Sequence, residues 1–106
     1  MTNQIQELND NFRRTFTGGR VMLTAGINAL PADDVAVILS RVRNFNDFTI
    51  VNDPYKQHDM AGFDYKGQRI FWKIDYYDRN LRYLSEDPTD VSKTIRVMII
   101  MLAEEY

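Results

Sequence analysis

The chain has 106 residues, with 13 Lys and Arg against 15 Asp and Glu, a formal net charge of −2. Hydrophobic residues are 44% and charged residues 26%, which excludes a disordered tail, a collagen-like repeat and a coiled-coil rod and suits a single domain over residues 1–106. The acidic balance argues against a basic nucleic-acid-coating domain, and the absence of cysteine removes disulfides, Cys-based zinc sites, iron–sulfur clusters and thiol catalysis.

The N-terminus, Met1-Thr2-Asn3-Gln4, has neither the basic start nor the apolar core of a secretory signal. The longest apolar run, Val97 to Ala103, falls far short of the roughly 20 residues that cross a bilayer. A soluble cytoplasmic protein is therefore expected. Ile5, Leu8, Phe12 and Phe16 recur at three and four residues and predict a helix over 3–16. Thr2 or Asn3 would cap it, and Gly18-Gly19 would stop it. The run Arg20 to Ala25 predicts a strand, and Gly26 to Leu30 a turn. Pro31, Asp33 and Asp34 open a second helix, with its stripe at Val35, Ile38, Leu39, Val42 and Phe45 and with Arg41 and Arg43 in its last turn.

Phe48 to Val51 is β-prone and ends at the breaker Asn52-Asp53-Pro54. Residues 52–59 form a polar loop. Met60 to Tyr65 and Arg69 to Tyr77 predict two strands joined at Lys66-Gly67. In the second of these, Ile70, Trp72, Ile74 and Tyr76 share one face, and Phe71, Lys73, Asp75 and Tyr77 the other. Residues 78–90 are a polar loop. From about Asp90, Ile95, Met98, Ile99, Leu102 and Tyr106 fit a helical face. The run 95–103 would also suit a buried strand, but its length and the Ala-Glu-Glu ending favour helix. The expected fold class is α+β: helices on a small antiparallel sheet, in the order α-β-α-β-β-β-α.

His58 is the only histidine. With Asp53 and Asp59, and with Asp64 and Tyr55 near in sequence, it could form an acid–base or metal-assisted hydrolase site. The simpler reading is a histidine that fixes its loop through Asp53 or backbone groups. No paired-histidine spacing, nucleophile elbow or phosphate-binding loop is present, so no catalytic residue, metal or cofactor is assigned. A second candidate is an acidic, tyrosine-bearing surface of Asp75, Tyr77, Asp78, Tyr83, Glu86, Asp87 and Asp90, suited to docking a basic partner. Acids interleave with its aromatic residues, so direct nucleic-acid binding is disfavoured.

Several segments together carry a resemblance. They are Leu8-Asn9-Asp10 with Phe12-Arg13, Gly18 to Val21, Asn52 to Tyr55 with His58-Asp59, Phe71 to Asp78, Ser85 to Pro88, and Arg96-Val97 with Ile100 to Tyr106. The set resembles a small bacterial domain family of unknown function met on plasmids, phages and other mobile DNA of proteobacteria. That resemblance implies no activity and no catalytic residues. It does imply a setting in which small acidic proteins counter host defence. The expected function is a non-enzymatic, anti-CRISPR-like inhibitor or regulator. It would bind a protein or ribonucleoprotein complex and no membrane. The His58 hydrolase and a structural or regulatory homodimer are the alternatives.

Overall fold

A computed structural model describes residues 3–106. Helix α1 (Gln4–Thr15) starts where Asn3 accepts the Gln6 amide on its side chain, satisfying one of the free donors of the first turn. Thr2, the other expected cap, lies outside the described residues. The helix ends at Phe16, which is left-handed and returns its amide to Phe12. Gly19 is already the first residue of β1 (Gly19–Leu23). A side chain there would collide with the Arg96 carbonyl and the Phe12 ring, so this glycine permits close packing of helix on strand.

The expected turn after β1 contains a short helix, α2 (Ala25–Asn28). Glu105, from the far end of the chain, holds its start by accepting the Thr24 hydroxyl at 2.6 Å and the Gly26 amide at 3.0 Å. Helix α3 (Ala32–Arg43) has the acidic first turn and basic last turn that its dipole favours. Arg13 of α1 closes its C-terminal end by donating to the carbonyls of Val42, Arg43 and Phe45 at 2.8–3.1 Å.

Strands β2 (Met60–Tyr65) and β3 (Gln68–Tyr77) form the expected hairpin. Lys66 and Gly67 both have positive φ, the geometry that lets a two-residue turn follow the strand twist. Asp34 of α3 pins the turn through the Tyr65 hydroxyl at 2.6 Å and Lys66 at 2.9 Å.

Three expectations are corrected. Residues 95–102 are a strand, β4 (Ile95–Leu102), rather than a helix. The segment lies between β1 and β3 in a four-stranded sheet of order β1-β4-β3-β2. A central strand buries both faces, so its near-continuous apolar run reads like a buried helix. The sheet is also mixed rather than antiparallel, because β1 pairs with β4 in parallel while β3 pairs antiparallel with both β4 and β2. Lastly, Phe48 to Val51 is loop. Thr49 and Asn52 bond each other reciprocally and Asp53 donates back to Thr49, which closes a turn where a strand would need an extended chain. The described order is thus α-β-α-α-β-β-β, with a 3-10 turn at Ala103–Glu105.

The helices cover one sheet face. The core holds Phe12, Ile38 and Val42 against Ile70, Trp72, Ile74, Met98 and Ile100. Val97 and Met101 are also buried but alternate to the opposite face and stand apart from this core. That second face carries Met22, half exposed, the Lys73–Asp75 ion pair at 3.1 Å, and Phe71 with its edge-on contact to Tyr106. No helix among the described residues is long and apolar enough to cross a membrane.

Candidate functional site

The His58 loop is built inward from its carboxylates. Asp53 is buried and accepts the backbone amides of Gln57 and His58 on one oxygen, at 3.1 and 3.2 Å. Its other oxygen lies 3.5 Å from His58 Nε2. The second ring nitrogen, Nδ1, meets Asp10 of α1 at 2.9 Å. The imidazole also stacks on Phe48, with centroids 3.8 Å apart and planes 6° from parallel. Nδ1 is hydrogen-bonded and one ring face is stacked, while Nε2 faces the Asp53 carboxylate beyond ordinary hydrogen-bond length. This arrangement ties a loop to a helix, and His58 also lines a cleft of about 240 Å³ with Asp53, Phe48 and Lys56.

Of the residues singled out for the loop site, Asp53 and His58 come together. Asp59 does not join them. It accepts the Tyr76 hydroxyl at 3.3 Å, and its backbone carbonyl receives the Ile74 amide. Burial pushes the Asp59 carboxyl up, against that hydrogen bond, and the Asp53 and Asp75 charges add to the rise. Tyr55 points outward, 81% exposed. Asp64 lies in β2, exposed and 3.4 Å from Arg69. Among the described residues no group of three or more Asp, Glu or His converges as metal ligands.

Asp10 is the member that sequence reasoning missed. It joins His58 to Arg13, whose Nη2 it accepts at 2.9 Å. The Arg13 guanidinium also lies 5.3 Å from both the Phe48 and Trp72 ring centroids, a favourable place for a weakly hydrated cation. The available signal was Asn9 and Arg13, polar residues four apart on the side of α1 that carries Phe12. Asn9 begins a second chain of contacts. Its amide donates to the Tyr76 hydroxyl and the Gln57 carbonyl, and its oxygen accepts Arg96 Nε at 2.7 Å. Burial, chiefly, pushes the Tyr76 phenol up to about 12.

The acidic loop has a different character. Segment 75–93 carries five acids and three bases, so the chain's whole acid excess lies there. Asp78, Asp87 and Asp90 each fold one carboxylate oxygen onto nearby amides or hydroxyls, of Asn80 and Arg82, Thr89, and Ser92 respectively. Their second oxygens make no such bond among the described residues. Asp75 pairs with Lys73 on the second sheet face, where Tyr77 also lies, while Glu86 is exposed. The Tyr83 carbonyl receives the Asp78 amide and Ser85 donates to Tyr76, so Leu84 bridges to Tyr77. Tyr83 and Leu84 are nevertheless 73% exposed. They rim a shallow cleft of about 430 Å³ with Asp78, Glu86, Arg79 and Lys93.

Residues 23–105 match a family model described as a protein of unknown function, DUF3768, and the chain belongs to that family. No curated protein and no solved structure matches it.

Proposed function

We propose that this DUF3768 member is a small non-enzymatic binding module that docks a protein partner through the acidic, tyrosine-bearing loop. The observation that carries this reading is the exposure of Tyr83 and Leu84 on a backbone already fixed by hydrogen bonds on both sides. Large side chains displayed on an ordered loop lose little entropy when they bind, and tyrosine is enriched where partners meet. Asp78 and Glu86 rim the same cleft with Arg79 and Lys93, Asp87 and Asp90 lie further along the same loop, and the acid excess of this segment favours a basic patch on the partner. Asp75 and Tyr77 extend the surface onto the second sheet face.

The partner class follows from the resemblance to proteins of mobile DNA: a DNA-targeting defence complex, inhibited as anti-CRISPR proteins inhibit theirs. Pull-down with a purified CRISPR surveillance complex and a purified restriction enzyme tests it. The wild-type chain retains one of them at micromolar protein, and Tyr83→Ala with Glu86→Lys loses it while melting like wild type. Failure of the wild-type chain to retain either overturns the reading.

The hydrolase alternative uses His58 with Asp53 and Asp59, of which Asp53 and His58 come together, and the homodimer alternative uses an exposed sheet edge, β1 or β2. A His58→Ala protein that still folds and keeps biological activity removes the first. Light scattering that gives a strict monomer removes the second.

A further inference from the structure

Arg96 is 4% exposed, yet its hydrogen-bond acceptors are neutral: the Asn9 side-chain oxygen and the Pro88 carbonyl, each at 2.7 Å. Its guanidinium lies 5.2 Å from the Tyr76 ring centroid. No carboxylate lies within ion-pair distance of it among the described residues. A buried cation without an anion is costly, and the usual remedy is a partner within the fold. Here the fold supplies none, and Arg96 instead lines an open cleft of about 520 Å³.

The rest of the cleft suits an anionic group. Arg79 shares it, exposed and held among the described residues only by a 3.4 Å bond to the Val91 carbonyl. Thr17 adds a hydroxyl, while Leu8, Phe12 and Val91 supply an apolar wall. A few convergent polar groups beside apolar side chains, in a space of this size, are the usual make-up of a small-molecule site. Guanidinium forks match the oxygen geometry of phosphate and carboxylate. The acid excess of segment 75–93, which includes Arg79 and Val91, repels a polyanion and favours a single anionic group.

We propose that this cleft binds a small organic anion, a phosphate monoester or a carboxylate on an apolar body, with the anionic group on Arg96 and Arg79 and the body against Leu8, Phe12 and Val91. The cleft adjoins the docking loop, with Arg79 lining both, and no chemistry on the ligand is implied.

Side-chain and backbone NMR of the full chain tests it, with adenosine monophosphate, hexanoate and inorganic phosphate as probes at constant ionic strength. One of the two organic probes shifts the Arg96 Nε–H and the Val91 and Thr94 amides saturably, and the stronger of the two identifies the anionic group. Inorganic phosphate, lacking a body, binds about tenfold more weakly, and Arg79→Gln weakens the organic probe by about tenfold. Absence of a saturable shift with both organic probes at millimolar concentration overturns the proposal. So does saturation centred outside the cleft, or an Arg79→Gln protein that binds as wild type does.

Discussion

Arg13 and Arg96 are both buried on the helix-covered side of the sheet, and both bond carbonyl or amide oxygens. Burial lowers the pKa of each. For Arg13 the Asp10 carboxylate opposes that fall through a hydrogen bond and its charge, while for Arg96 the opposing influence is Tyr76. Arg13 therefore sits in a closed circuit, with Asp10 bridging to His58 and His58 to Asp53. Arg96 sits in an open one, among the lining of a cleft of about 520 Å³. The same residue type thus does two kinds of work. Where a carboxylate accompanies it, the arginine is a structural clasp joining α1, α3 and the loop at 48–58. Where none does, it is a receptor for something outside the chain.

Three substitutions sharpen that contrast. Asp10→Ala has the largest expected effect, because it strands the buried Arg13 cation and frees His58 together. It should cost about 3–5 kcal/mol, read by urea unfolding; a loss below about 1 kcal/mol would mean that Asp10 does not neutralise Arg13. His58→Ala is milder. It removes the contacts to Asp10 and Asp53 and the Phe48 stack, at about 1–3 kcal/mol, and hydrogen exchange should speed at Gln57 and Lys56 while the sheet stays protected. Equal acceleration in β3 and β4 would show that the histidine supports the core instead of the loop.

Asp59→Asn has the smallest effect and a definite pH signature. The folded chain holds the Asp59 proton more tightly than the unfolded chain, since burial raises this carboxyl. Its contribution therefore favours folding below the ordinary carboxylate range and is lost as pH rises through the raised value. Asparagine can still accept from Tyr76 without the charge. The variant should match or exceed wild-type stability at neutral pH, by under about 1 kcal/mol, and lose that advantage in acid. An advantage that grows in acid would contradict the assignment.

The readable parts of the sequence were those governed by local pattern. The stripe of α1, the charge-graded α3 and the Lys66-Gly67 hairpin each follow from periodicity or turn chemistry within a few residues. Residues 95–102 were misread because the central position of β4 depends on partners at Gly19–Leu23 and Ile70–Tyr77. Periodicity inside the segment carries no record of those partners. Phe48 to Val51 failed for the opposite reason: side chains at Thr49 and Asn52 outcompete strand propensity locally. At the candidate site, Asp53 and His58 lie five residues apart and were legible. Asp10 lies 48 residues from His58, and only the polar intrusions of Asn9 and Arg13 into the α1 face hinted that this helix carries part of the site. Arg96 was hidden inside an apolar run that it interrupts, where a charged residue in a central strand was the available clue.

The most direct test compares Arg13→Met and Arg96→Met by urea unfolding under the same conditions. Arg13→Met should lose about 3–5 kcal/mol, since it abandons the carbonyls at the end of α3 and half of a buried pair. Arg96→Met should lose only about 1–2 kcal/mol, for the Asn9 and Pro88 bonds, because the cation it removes had no counter-charge. Equal losses would contradict the division between a clasp completed within the fold and a charge left for an outside anion.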